Sequence, residues 1–395
     1  MNIKQVYMKV AYILNATVVN GGATKAFVNL IDGLAAYGVQ PHVVVPDNDG
    51  ISQVLQRRGT PVLCLTYRPC AYPRHYSWQE KLLFLPRLAA RLLANRQATN
   101  RLADYLRTNQ IDIVHSNTSV VRIGYDAARR THTPHIYHIR EFADQVGYSY
   151  IFGQKAFRRQ LPLTHSICIT KAVLHYYELE KQAEAGKVCV IYDGVFQAQP
   201  VMPMGTAKDY FLFAGRLQNE KGLDQLLKAY AAYAKDTPAP LPLKLAGTGN
   251  EDYINKVCAF IADNGLTQLV EVLGERNDIS DLMRGARALV VSSRFEGFGF
   301  SMPEAMQQGC LVIARNTSGT KEQLDNGLEM TGEEIALRYE NTEQLTALLT
   351  QVTRQPVGYY APYTERAFKV VNQLYAQETN AQKVFEFYKS IAGNA

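Results

Sequence analysis

Short apolar runs separated by helical patterns occur in two series along this chain, and that alternation constrains its fold more than any other feature. The first series is KVAYIL, HVVVP, PVLCL, IDIVHS, PHIYHI, HSICIT and KVCVIY; the second is YFLFAG, LPLKLAG, LVEVLG, ALVVSS and LVIA. Apolar runs of this length suit strands buried on both faces of a parallel sheet, with the helices between them as crossovers. Two doubly wound α/β domains are therefore expected. Between the series, DGVFQAQPVMPMGTAKD loses periodicity and gains proline and glycine, as a linker does. We place the first domain at residues 1–195, the second at 196–372, and a returning C-terminal helix at 373–395. That helix ends a helical stretch running from about Thr364 to Ile391, long enough to pass from the second domain back to the first.

In the second series, ALVVSS runs into Arg294–Gly309, RFEGFGFSMPEAMQQG, a glycine-broken loop carrying Glu296 and then a helix expected to begin near Pro303 and carrying Glu304. Strand carboxyl ends and helix amino ends open onto the ligand crevice of an α/β sheet, which puts both glutamates at a site. Gly297 and Gly299 permit a sharp turn and a close backbone approach to a ligand. Glu304 has two compatible readings: it completes a capping box with Ser301, or it meets a ligand. Upstream, FAGRLQNEKGLDQLL sets Arg216 beyond a strand end and Lys221 before a helix, a pair of cations suited to a diphosphate. Each taken alone reads equally as a solvated surface charge. Gly21 and Gly22 lie between the first strand and helix, where a phosphate can approach backbone N–H groups or the chain simply turns. They belong to no GxGxxG, and no Walker lysine follows.

The chain has 395 residues, 47% of them hydrophobic, enough for two cores. No run approaches the ~20 apolar residues that cross a bilayer. The first residues read as structure rather than as a signal peptide, so a cytoplasmic location is expected. The six cysteines have no metal-ligand spacing and read as buried free thiols. Asp47-Asn48-Asp49 has the form of a metal-binding DxD, but PDNDG after a strand is turn chemistry. No metal, cofactor or nucleic acid is expected. Residues 1–195 hold 23 Lys+Arg against 13 Asp+Glu, more basic than the whole chain at +6. From Lys81 to Arg107, Arg87, Arg91, Arg96 and Arg101 are interleaved with Leu82, Leu83, Leu85, Leu88, Leu92 and Leu93. This suits an amphipathic helix on an anionic membrane, or a surface helix with its leucines in the core.

GRLQNEKG, LAGTGN, FEGFGFSMPEAMQQG and GTKEQLDNG resemble the C-terminal half of retaining glycosyltransferases of the large family 4, while NGGATKAFVNLIDGLAAYG, ITKAV and KVCVIYDGV resemble its N-terminal half. The resemblance implies the GT-B architecture: two facing doubly wound domains, the nucleotide sugar held mainly by the second, and a final helix crossing back to the first. It implies Arg216 and Lys221 on the donor diphosphate, Gly21 and Gly22 near it, and Glu304 on the ribose. It sets Glu296 against the donor sugar, as nucleophile or positioning residue, and makes Gly297, Phe298, Gly299 and Phe300 the donor-binding loop. Where many relatives end a strand with a histidine facing the donor, this chain reads PHIYHIREF, so that Arg140 takes that place and His138 lies two residues back on the same face. Both are candidate catalytic residues. They read equally as a core histidine and as an arginine paired with Glu141 or Asp144.

HIREF is similar to a bacterial subset that builds surface polysaccharides. The expected activity is metal-independent transfer from a UDP- or GDP-sugar, or another nucleotide-diphosphate sugar, to a glycan or lipid-linked acceptor at the inner face of a membrane. The alternatives are a GT-B sugar-nucleotide epimerase and a non-catalytic partner subunit of a glycosylation complex.

Overall fold

The computed structural model describes residues 8–19, 21–73, 84–142, 148–203 and 208–393. Lys81, Leu82, Leu83 and Asp144 lie outside them. The chain divides into two compact units, one of Met1–Gly194 with Gln377–Ala395 and one of Val195–Ala376.

The first unit contains β1 (Met8–Ile13), β2 (Val39–Val45), β3 (Val62–Cys64), β4 (Ala71–Pro73), β5 (Ile113–Ser116), β6 (His135–Ile139), β7 (Tyr148–Tyr150), β8 (His165–Cys168) and β9 (Val188–Val190). Its main sheet is parallel throughout, in the order β3-β2-β1-β5-β6-β8-β9. The apolar runs are continuous because both faces are covered. Val10, Tyr12, Ile113 and Ile136 pack with Phe27 and Leu30 of helix Gly22–Leu34 and Val384 and Tyr388 of helix Gln377–Ala392. Ala11, Ile13 and Val114 face the other way, against Leu102 and Leu106 of helix Phe84–Asn109. The sequence reading did not anticipate β4 and β7, which form a separate antiparallel ribbon.

In the second unit β10 (Phe211–Ala214), β11 (Leu243–Ala246), β12 (Val270–Gly274), β13 (Ala288–Val291), β14 (Val312–Arg315) and β15 (Leu337–Tyr339) form a parallel sheet ordered β12-β11-β10-β13-β14-β15. Phe211, Leu245, Val290 and Ile313 share a core with Leu226 and Tyr230 of helix Leu223–Asp236 and Leu345 and Leu349 of helix Thr342–Arg354. In both units the strand order reverses beside the first strand, at β1/β5 and at β10/β13. The carboxyl ends flanking such a switch point form the ligand crevice of a doubly wound sheet.

The helical stretch expected from Thr364 to Ile391 is two helices, Ala361–Leu374 and Gln377–Ala392. The break has a physical cause. The carbonyl of the fully buried Tyr375 accepts from the Val195 N–H at 2.9 Å, and Ala376 bridges to Phe196. The backbone there hydrogen-bonds to the linker strand rather than continuing the helix.

Candidate functional site

The second unit brings Lys221, Glu296 and Ser293 together at the β10/β13 switch point. Ser293 follows the end of β13, and Lys221 ends a 3-10 turn, Asn219–Lys221, ahead of helix Leu223–Asp236. One carboxylate oxygen of Glu296 accepts from Lys221 Nζ at 2.5 Å and from Ser293 Oγ at 2.7 Å. The side chains of the pair are 24% and 13% exposed, shielded enough to strengthen the attraction yet open to a ligand.

Two close approaches fix this geometry. Gly222 has φ +65°, and a Cβ there would lie 2.0 Å from the Ser292 carbonyl oxygen, while Ser292 Oγ donates to the Lys221 carbonyl at 2.8 Å. Gly319 donates its N–H to the Glu296 carbonyl at 3.0 Å, and a Cβ on it would lie 2.5 Å from the Gly297 oxygen. Arg294 is directed away from the pair. Its guanidinium donates to Asp224 at 2.7 Å and its N–H to the Glu220 carbonyl at 2.9 Å, tying the two loops together.

Gln323 Nε2 donates to the carbonyls of Phe298 and Gly299, at 2.5 and 3.3 Å, and so holds the rest of the loop. The Phe298 ring is buried against Tyr375 at 5.1 Å, so any part it takes in donor binding rests on its main chain. The helix begins at Ser301, not near Pro303. Its N-cap is Phe300, in the αR conformation and with no side-chain cap bond, so the capping box expected from Ser301 and Glu304 does not form. Glu304 is half-buried in the first turn. Arg216, just beyond β10, is exposed and forms no hydrogen bond or ion pair among the described residues.

In the first unit, Arg140 and His138 belong to a buried charge cluster at the carboxyl end of β6. Arg140 pairs with Asp193, not with Glu141 as the sequence suggested. Burial pushes the Asp193 carboxyl up and the guanidinium opposes that rise. Glu141 receives only the Arg140 backbone N–H, at 3.2 Å, and is otherwise held by the N–H and hydroxyl of Ser119. Arg140 Nε donates to the Asn117 carbonyl at 3.1 Å, and Asn117 Nδ2 donates to the Ala23 carbonyl at 3.1 Å. Arg140 is thereby linked to the start of helix Gly22–Leu34. Gly21 is that helix's N-cap, with no side-chain cap and no acidic residue in the first turn.

His138 has no exposed surface. Its Nδ1 lies 3.1 Å from Arg140 Nη2 and 3.1 Å from His115 Nε2. A guanidinium can only donate, so His138 Nδ1 accepts and its proton resides on Nε2. His115 Nδ1 in turn lies 2.5 Å from the Tyr388 hydroxyl, which donates to the Tyr12 hydroxyl at 3.2 Å. Burial first and Arg140 second push His115 down to about 3 and hold His138 well below its ordinary value, so both stay neutral. His138 Nε2 is left without a hydrogen bond, with Asp193 at 3.7 Å.

The Asp49 N–H donates to Asp47 at 3.2 Å, the bond of an Asx turn, while Thr17 Oγ1 donates to Asp47 at 2.5 Å and Gln56 to Asn48 at 2.8 Å, tying that turn to its neighbours. Among the described residues, no group of three or more His, Cys, Asp or Glu is placed to hold a metal. All six cysteines are free, but Cys64 and Cys258 are exposed rather than buried. Sequence reasoning missed Asp193, Asn117, His115 and Ser293, each identified only by what it touches.

Residues 21–194 match the family model described as glycosyl transferase 4-like domain, and residues 200–369 the one described as glycosyl transferases group 1. The chain is 26% identical over 227 residues to an uncharacterized glycosyltransferase of Methanocaldococcus jannaschii, covering 56% of this chain and 61% of that protein. It is 27% identical over 143 residues to a lipopolysaccharide core biosynthesis mannosyltransferase of Rhizobium meliloti, covering 35% and 40%. The chain thus spans less than two thirds of these curated relatives' own length. Among solved structures, Anabaena HepE in complex with UDP superposes with a TM-score of 0.74 at 19% identity, over 97% of this chain and 100% of that one. The fold is that of the GT-B glycosyltransferases. With both halves matched by successive models, the chain belongs to the glycosyltransferases built from a family 4-like domain and a group 1 domain.

Proposed function

We propose that the protein transfers a sugar, with retention, from a nucleotide-diphosphate sugar to a glycan or lipid-linked acceptor in cell-surface polysaccharide synthesis. The observation that carries this reading is the Lys221–Glu296–Ser293 cluster at the β10/β13 switch point, with the exposed Arg216, unpaired among the described residues, beyond the neighbouring strand end. Breaking the bond from the sugar to the diphosphate leaves charge on phosphate oxygens, which Lys221 and Arg216 neutralise. Lys221 then exchanges Glu296 for the diphosphate, and the released carboxylate accepts from donor-sugar hydroxyls. Glu304 bonds the ribose. In the first unit, Gly21 and Gly22 present backbone N–H groups suited to an anion at the amino end of helix Gly22–Leu34, and Arg140 is fixed by Asp193 and Asn117. The acceptor hydroxyl bonds to the anomeric carbon as its proton passes to the leaving phosphate. The similarity to a lipopolysaccharide core mannosyltransferase and the UDP complex of HepE support the acceptor class and a UDP-sugar donor.

The test is a panel of UDP-, GDP- and TDP-sugars, read by thermal shift and then by transfer in the presence of EDTA. A matching donor raises stability by RT ln(1 + [L]/Kd), and transfer is expected to persist without metal. Activity lost in EDTA and restored by Mn²⁺ would refute metal independence; turnover of the nucleotide sugar without an acceptor would identify an epimerase instead.

We further propose that the enzyme works at an anionic membrane surface. In helix Phe84–Asn109, burial begins only at Asn95; before it, Leu85 and Leu93 are 72% and 62% exposed. Those leucines therefore do not line the core. Arg87, Arg96 and Arg101 are exposed beside them, whereas Arg91 turns inward to the Ala71 carbonyl at 3.1 Å. Co-sedimentation with vesicles is expected to rise with anionic lipid and fall with salt. Equal binding to neutral and anionic vesicles would overturn the membrane role.

A further inference from the structure

At the opposite end of the first unit's sheet from Arg140, the amino ends of β6, β8 and β9 surround a cavity of about 600 Å³. Pro134 leads into β6, Thr164 into β8 and Lys187 into β9, while the last turn of helix Ile123–Thr131 contributes Arg129. The size lies within the range of roughly 300–1,000 Å³ usual for small-molecule sites.

Its lining holds no carboxylate: Arg129 and Lys187 are its fixed cations, and His132, His135 and His165 contribute the other ionisable nitrogens. Some arginines of the same unit are matched with acids, as in Arg122–Asp126, Arg107–Asp104 and Arg158–Glu178, and Arg129 is not among them. Arg129 and Lys187 are exposed and form no ion pair among the described residues. Arg129 lies over the Tyr125 ring at 5.7 Å, a contact that steadies the guanidinium while leaving its donors available. Burial and then Lys187 depress the basicity of His165, consistent with an uncompensated positive field. Leu163, 69% exposed, and Ile391 add an apolar wall. Two cations without acids beside an open cavity fit a phosphate dianion, which arginine can grip with two parallel N–H bonds.

We propose that this cavity is an accessory site for a phosphate-bearing ligand, its phosphate held by Arg129 and Lys187 and its apolar part lying against Leu163 and Ile391. The length of β6 separates it from Arg140, so it does not belong to the crevice at the strands' carboxyl ends. The inference does not depend on the transferase reading.

Calorimetric titration of the full chain with inorganic pyrophosphate tests it. The comparison uses wild type, an Arg129→Ala/Lys187→Ala variant and an Arg216→Ala/Lys221→Ala variant that disables the crevice in the second unit. Pyrophosphate should bind the first variant ~10-fold or more weakly at this site and retain that binding event in the second. Arg129→Lys should recover part of the loss by restoring the charge. Both cavity cations are exposed, so melting temperature in buffer should not change. Binding unaffected in Arg129→Ala/Lys187→Ala, or no event left in Arg216→Ala/Lys221→Ala, would overturn the proposal. A parallel arm with phosphatidate vesicles separates the sources: co-sedimentation that falls in the cavity variant identifies a lipid headgroup, and pyrophosphate binding alone identifies a soluble phosphate ester.

Discussion

Replacing Lys221 with alanine is expected to slow transfer at subsaturating donor by roughly 30- to 1,000-fold, the equivalent of ~2 to 4 kcal/mol of transition-state stabilisation. Lys221 neutralises Glu296 in the free protein and, in the proposed reaction, the diphosphate, so alanine also leaves a half-buried carboxylate supported by Ser293. The double variant Lys221→Ala/Glu296→Gln separates the two effects. Removing the stranded charge should restore stability while turnover stays low. Arg216→Ala is the cleaner probe, because Arg216 has no partner among the described residues. Its loss should weaken donor binding with no change in melting temperature. Wild-type kcat/KM in both single variants would remove the diphosphate assignment.

The fold was legible because parallel, two-sided burial writes itself as continuous apolar runs. Each core strand from KVAYIL to LVIA needed its apolar residues on both faces, as the opposite orientations of Tyr12 and Ile13 show. What escaped was short or decided by tertiary pairing. Leu337–Tyr339 has three residues and too little apolar signal to distinguish it from a loop. β4 and β7 find each other across a long sequence separation, and their antiparallel register is invisible in either segment. The break at Tyr375–Ala376 depends on hydrogen bonds to Val195 and Phe196, which helical periodicity cannot report.

Legibility at the site had a similar limit. Glycine placement and strand-end position marked Arg216, Lys221 and Glu296, and the structure brings the last two into contact. Charge partners were not legible, because a buried ion pair is selected by three-dimensional proximity. Arg140 ignores the adjacent Glu141 side chain and takes Asp193, distant in sequence but facing it across the strand ends. The capping box failed for a subtler reason. Its residues are spaced correctly from Ser301 to Glu304, but Ser301 is already helical.

That failure sharpens the test of the two glutamates. Glutamine keeps the shape of the side chain and its hydrogen-bonding capacity, so Glu304→Gln should change stability little while nucleoside diphosphate affinity falls by roughly 10- to 150-fold, the cost of replacing a charge-assisted bond worth ~1.5 to 3 kcal/mol. Glu296→Gln should act in the opposite sense on binding. Glu296 holds the Lys221 ammonium at 2.5 Å in the free protein, and a neutral amide competes less well with a diphosphate for that cation. Nucleoside diphosphate affinity should therefore be retained or rise modestly, even as turnover of the full donor drops because the sugar has lost its carboxylate acceptor. Calorimetry with the nucleoside diphosphate beside initial rates with the matching sugar nucleotide reads both effects. A Glu296→Gln protein with the wild-type transfer rate would exclude the donor-sugar role, and equal losses of nucleotide affinity in the two variants would show that the ribose and sugar contacts are not divided between Glu304 and Glu296.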